Sequence, residues 1–225
     1  MTDLNLFPLF LSLKVAVTAT FFSIILGLPA AYYLSRADNG PADLLDTVLT
    51  LPVVFPPTVL GYYLLVLLGR QSWIGKFLEE RFDIMIVFTP AGAVVAAAVV
   101  SFPFLIKSAR AAFSGIHPDI LNAAKLLGRS ELNILFAICI PLAWRGIAAG
   151  IITAFARAFG DFGATLMVAG SIPDQTLTMP IAIYDAMLAG DKVLTNKLVM
   201  IMTGTAVVLL FLLNRLEKSI SRGGR

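Results

Sequence analysis

The sequence predicts an all-α membrane protein with about five transmembrane helices, and three observations carry that reading. Of 225 residues, 58% are hydrophobic and only 14% are charged, where a soluble domain carries about a quarter charged residues to wet its surface. The mean hydropathy is +0.88. Charge-free runs also recur at the length a helix needs to cross the hydrocarbon core, about 17–25 residues.

Taken in order, the first run is Val15 to Ser35, between Lys14 and Arg36, giving a span over roughly 12–35. The opening MTDLNLFPLF lacks a basic stretch and carries Asp3. It does not read as a cleaved signal peptide, so the first helix is expected to be retained. Thr47 to Gly69 gives a second span (47–69). Pro52, Pro56 and Pro57 interrupt it, each removing an amide and together freeing carbonyls that lipid cannot satisfy. Such a segment belongs against protein or a water-filled path, and Thr50 and Thr58 flank it with hydroxyls. A kink needed only for packing and a pore-lining role both fit these residues.

Ile84 to Ile106 lies between Asp83 and Lys107 and predicts a third span (84–108), in which Pro103 raises the same question more weakly. Gly146 to Gly170 predicts a fourth (145–170), apolar apart from Arg157 and Asp161. Leu198 to Asn214 predicts a fifth (195–215), and residues 1–225 read as a single transmembrane domain. Trp73 reads as an interfacial anchor, and Gly27, Pro29 and Gly61 as packing positions.

Five spans put the two ends on opposite sides. With the C-terminus inside, Arg36, Lys107, Arg110, Lys125, Arg129, Arg145, Arg215, Lys218, Arg222 and Arg225 are inside. Arg70, Lys76, Arg81, Lys192 and Lys197 are then outside, and the positive-inside rule favours this choice. The net charge of +3 therefore reports orientation and not a nucleic-acid surface.

Arg157 and Asp161 stand four apart, a spacing that predicts one helix face. A charge at the bilayer centre costs about 2.5–3.5 kcal/mol, so both should face protein or water. They read either as an ion pair that fixes helix packing or as a pair that borders the translocation path or a gate. Gly146-x-x-x-Gly150 and Gly160-x-x-Gly163 place small residues on the fourth helix, for packing within the subunit first and for dimer contact second.

Between the third and fourth spans, residues 117–143 predict a cytoplasmic loop built of short helices. His117-Pro118-Asp119 opens a helix over Asp119 to Leu127, and Gly128 ends it where a left-handed conformation is cheap. Glu131 to Ile140 reads as a second short helix. Leu132 to Trp144 is too short to span alone, and Pro141 marks a kink into the fourth span. Ala123, Ala124 and Gly128 leave one face flat enough for another protein's backbone. An amphipathic helix on the membrane surface is the plainer reading; a docking knob for a cytoplasmic partner is the sharper one.

The stretch NAAKLLG (122–128), followed by IPL (140–142), resembles the signature loop of ABC importer permeases: Glu-Ala-Ala, three residues, Gly and a distal Pro. Asn122 stands where Glu is usual. LPVVFPPTVLGYYLL (51–65), AFARAFGDFGATLMVAGSIP (154–173) and TLTMPIAIY (176–184) narrow the resemblance to the molybdate permeases, near the sulfate permeases. The resemblance covers nearly the whole chain. It implies the type I ABC importer permease fold in a bacterial inner membrane. It also implies that Asn122, Ala123, Ala124, Lys125, Gly128 and Pro141 form a coupling loop seated on a separate ATPase. The implied partners are two such ATPase subunits, a second copy of the chain and an extracytoplasmic substrate-binding protein that carries most of the selectivity.

The chain's own residues agree with an external motor. A P-loop needs Gly-x-x-x-x-Gly-Lys-Ser/Thr, and the nearest candidate, Gly75-Lys76, has Arg70 at the first glycine position and Phe77 at the hydroxyl position. Cys139 and His117 are each alone of their kind, so neither a metal site nor a cofactor is expected, and no catalytic set is seen. Donors within the spans are few, among them Thr18, Thr20, Ser23, Thr153 and Thr165, which suits a passage that does not hold its anion tightly. Ser171 to Asp191 reads as a long polar outer loop able to receive the binding protein. Sulfate or tungstate import is the runner-up. A stand-alone secondary transporter fits less well, since no repeat relates two halves.

Overall fold

The long helices follow from where the chain places its small residues and its caps. The structure is a computed structural model describing residues 5–222, with side chains to residue 215. Asp3 and Arg225 lie outside the described residues, as do the side chains of Lys218 and Arg222. Helix α1 runs Phe7–Arg36 without a break. Asn5 Oδ1 accepts the Phe7 amide at 2.8 Å, and Arg36 sits in the last turn, where a cation suits the helix dipole. Its inner face is Ala16, Ala19, Gly27 and Ala31, all buried, which lets α5 (Pro90–Ser114) approach closely. A Cβ on Gly27 would stand 3.2 Å from Leu105.

The second span is two helices, α2 (Gly40–Val54) and α3 (Pro57–Leu68), bent by 117°. It begins at Asn39, whose side chain accepts the Ala42 amide at 3.0 Å, and so earlier than residue 47. The bend has a local cause. Phe55 and Pro56 each precede a proline and are extended, with ψ 140 and 137, because proline disfavours the helical region for the residue before it. Pro52 stays inside α2. A short helix, α4 (Trp73–Phe82), follows.

The third span starts later than its composition predicts. Residues 84–89 are not helical; Phe88 is left-handed at φ 60, and its amide donates to Val168 O at 2.9 Å. Thr89 caps α5 by accepting the Gly92 amide at 3.3 Å, with Pro90 in the first turn, where it lacks nothing the helix needs.

After α6 (Pro118–Leu126), the chain corrects a second expectation. No separate short helix precedes the fourth span. α7 (Glu131–Ile134) passes through a π-helical turn, Leu135–Cys139, directly into α8 (Ile140–Phe159), one continuous 29-residue membrane-length helix. The wider turn places Pro141 in the first turn of α8, where its missing amide costs the helix little. The span also ends early, at Phe159. Gly160–Phe162 is a break, and α9 (Gly163–Ala169) is a separate helix. Gly160 therefore opens the break and Gly163 begins α9, so the two do not share the fourth helix.

The expected polar loop 171–191 instead contains α10 (Met179–Leu188), with Met179, Ile181, Ala182 and Ala186 buried. Ser12 of α1 accepts the Met179 amide at 2.8 Å. Last comes α11 (Lys192–Arg222). Four helices among the described residues are long and apolar enough to cross a bilayer, and the bent pair makes a fifth if counted as one span.

At the centre α5 packs against both α1 and α8. Ala109, Phe113, Leu34, Ile134, Cys139 and Ile147 form a core toward one end, and Leu11, Val15, Ala93 and Phe159 form one toward the other. The first end holds Arg36 and α6, and is called the Arg36 end here.

Candidate functional site

Most of the residues singled out in the sequence gather in two places. At the Arg36 end, α6 is a tightly bounded helix. His117 Nδ1 accepts the Asp119 amide at 3.4 Å, and Pro118 fills the first position. At the other end Gly128 is left-handed at φ +73. Its amide donates to Lys125 O at 2.9 Å, and that of Arg129 to Ala124 O at 3.1 Å, satisfying carbonyls the helix would leave open.

The faces of α6 are not those the small residues suggested. Leu121 and Ala124 turn inward, Ala124 only 6% exposed, beside Phe113, Ile116 and Ile134. Ala124 is thus part of the chain's own core and not of a flat outer face. Asn122, Ala123, Lys125 and Gly128 face out. Beside them Leu126 and Leu127 are 89% and 81% exposed, and Leu132 and Phe136 are exposed on the following helix. The sequence reading passed over these four, although Leu132 and Phe136 already stand at the i, i+4 spacing of one helix face. Pro141 is past the π turn in α8, apart from α6.

Glu131, to which the motif assigned no role, joins three helices. One carboxylate oxygen pairs with Lys125 Nζ of α6 at 2.8 Å, and the other accepts the Tyr32 hydroxyl of α1 at 2.9 Å. Tyr32 packs edge-on against Phe113 of α5, with centroids 5.8 Å apart, under the Arg36 guanidinium. Arg36 donates to the Phe113 carbonyl at 3.0 Å. Arg110 of α5 pairs with Asp46 of α2 at 2.6 Å.

Where α3 packs against α9, the two breaks meet. Arg157 Nη1 lies 3.3 Å from Asp161 Oδ1, but not because both ride one helix. Arg157 is in the last turn of α8, and Asp161 lies beyond its end. Asp161 is 3% exposed, and its second oxygen accepts the Thr165 amide at 2.9 Å and the Thr165 hydroxyl at 2.8 Å. The carboxylate therefore closes the amide end of α9 while offsetting Arg157, which answers the cost of burying it.

Pro57, Thr58, Arg157, Gly160, Asp161, Phe162 and Gly163 line one cleft of about 330 Å³. The backbones come close here: a Cβ on Gly163 would lie 3.1 Å from the Thr58 amide, and one on Gly61 2.6 Å from Met167 Cβ. Pro56 is the residue just before α3. Pro52 lines a different cavity of about 320 Å³, with Ser23 and Phe102. Thr50 donates its hydroxyl to the Asp46 carbonyl of its own helix. Gly146 and Gly150 pack inside the chain against Ala112 and Ser108 of α5, and Ser108 donates to Gly146 O at 2.7 Å. Among the described residues no group of three or more His, Cys, Asp or Glu gathers.

Comparison with known proteins gives this geometry its context. A family described as binding-protein-dependent transport system inner membrane component matches residues 23–222. A putative molybdenum transport system permease protein of Bacillus subtilis is 41% identical over 208 residues, 92% of each chain. The molybdenum transport system permease protein of Escherichia coli is 42% identical over 184 residues, 82% of this chain and 80% of that one. Among solved structures, a methionine ABC transporter in inward-facing conformation superposes with a TM-score of 0.73 at 16% identity, covering 99% of both chains. At that identity the likeness is one of fold.

Proposed function

Since the chain belongs to the family of binding-protein-dependent transport system inner membrane components, we propose that it is the multi-pass permease subunit of an ATP-driven importer for molybdate. It is a membrane subunit and not an enzyme. The observation that carries the reading is the exposed apolar surface of Ala123, Leu126 and Leu127, held out from the helical body by a short, well-capped helix. An apolar surface of this kind, rimmed by Asn122, Lys125 and Arg129, is what a protein partner covers.

In this reading a cytoplasmic ATPase seats on α6, two ATPases serve two copies of the chain, and the Arg36 end and the C-terminus face the cytoplasm. An extracytoplasmic binding protein delivers the anion at the opposite end. The cleft between the breaks borders the passage. Thr58 supplies a hydroxyl there, and Arg157 is neutralised by Asp161, so a dianion meets donors without a net positive charge that would hold it. The exposed apolar side chains of α2 and α3, including Val54, Tyr62 and Tyr63, are the surface offered to the second copy.

The test is reconstitution of the chain with its ATPase and binding protein in proteoliposomes, followed by uptake of labelled molybdate with sulfate as competitor. Uptake that requires ATP and resists excess sulfate is expected. Uptake abolished by sulfate would move the substrate to sulfate, and uptake without the ATPase would overturn the importer reading.

A further inference from the structure

An ATPase seated on α6 can move the passage only if α6 is fastened to the spans. Its own packing is slight, with only Leu121 and Ala124 buried, and it is joined on either side by short turns, of which Gly128 is left-handed. Resting on the proposal that an ATPase docks there, we infer that Glu131 is the positioning residue that transmits displacement of α6 to α1.

The carboxylate is used as a two-ended clamp. Oε1 holds Lys125 in the last turn of α6 at 2.8 Å, and Oε2 holds the Tyr32 hydroxyl near the end of α1 at 2.9 Å. A shift of Lys125 larger than its flexible side chain can absorb pulls on the carboxylate, and so on the Tyr32 hydroxyl, or breaks a charge-assisted hydrogen bond. Tyr32 in turn is wedged between the edge of Phe113 and the Arg36 guanidinium, and Arg36 grips the carbonyl of Phe113. A contiguous path of named contacts therefore runs from α6 through the start of α7 to the ends of α1 and α5.

Two details favour transmission over simple bracing. The Lys125 and Glu131 side chains are 55% and 61% exposed, and ion pairs so wet add little to stability. The clamp also bridges the non-helical 127–130 link between α6 and α7, giving a direct side-chain route beside the backbone one. The charges facing it are Lys125 from α6 and Arg36 from α1.

The test uses the full transporter in proteoliposomes and reads molybdate imported per ATP hydrolysed. Glu131→Ala should lower that ratio about fivefold, and Tyr32→Phe, which opens one arm, about twofold. The melting temperature and co-purification of the ATPase should stay close to wild type in both. Exchanging the charges (Lys125→Glu with Glu131→Lys) should restore most of the ratio that either single reversal loses, with the melting temperature unmoved throughout, so that the loss and the rescue are of coupling and not of stability. A wild-type ratio in Glu131→Ala, or no rescue in the exchange, overturns the clamp. Leu126→Asp separates the premise from the inference. If the ATPase still co-purifies with that variant, docking on α6 is wrong. If it is lost while Glu131→Ala keeps a normal ratio, docking stands and the clamp is wrong.

Discussion

The two candidate regions are built by opposite means. At the Arg36 end, α6 is held by side-chain tips: an amino group on a carboxylate, a phenol on the same carboxylate, a guanidinium on a carbonyl. At the helix breaks, α3 and α9 are held by the absence of side chains, Gly61 against Ala164 and Met167, Gly163 against Pro57 and Thr58. Contacts between long polar tips in water can be remade over a range of positions. Backbone-to-backbone contact through glycine allows one position. The first arrangement suits a surface that receives a moving partner, and the second suits a fixed frame around a buried charge.

If this contrast is right, equal insults should have unequal costs. The largest is expected from Gly61→Val, whose Cβ alone would stand 2.6 Å from Met167 Cβ and 3.0 Å from the Ala164 backbone. Backbone cannot give way as a flexible side chain does, so a loss of about 3 kcal/mol is expected. It would be read as a lower midpoint in detergent thermal unfolding and little folded protein. Asp161→Asn comes next. It keeps an acceptor for Thr165 but leaves Arg157 without its counter-charge, for a cost of about 2 kcal/mol, and impaired uptake should accompany the lower midpoint. Full uptake at normal expression would deny the pair any role. Thr165→Val removes only a hydroxyl donor to Asp161 and should cost about 1 kcal/mol, measured by the same melt. Smallest is Leu126→Asp, within about 0.5 kcal/mol of wild type because the side chain touches little. A large destabilisation there would show that the Arg36 end is frame as well.

Much of the fold was legible because lipid imposes a length on apolar runs, and proline and glycine punctuate them. The first and last spans, α6 with its Gly128 terminus, and the broken second span could be read in this way. What was not legible depended on partners distant in sequence. Pro141 reads as a kink because a proline in a helix interior kinks it; only the π turn before it, which leaves no compositional mark, brings it into a first turn. Arg157 and Asp161 read as one helix face because spacing cannot reveal that the helix stops between them. Ala124 reads as part of a docking face because the motif pairs it with Ala123, whereas its direction is fixed by Phe113 and Ile134. In the candidate site Glu131 reads only as the start of a short helix, since its partners Lys125 and Tyr32 belong to two other helices.

The contact between α3 and α9 also has a history within each molecule's synthesis. Gly61 meets Ala164, which is made about a hundred residues later, an interval of about 5–20 s at about 5–20 residues per second. Throughout that interval the proline break of the second span is already in or near the membrane, with its freed carbonyls and without the helix that will cover it. Carbonyls freed by proline are costly in lipid, so the break gains its cover only when α9 is made. An early segment that depends on a late one makes completion of the chain, and not insertion of each span in turn, the event that closes this structure.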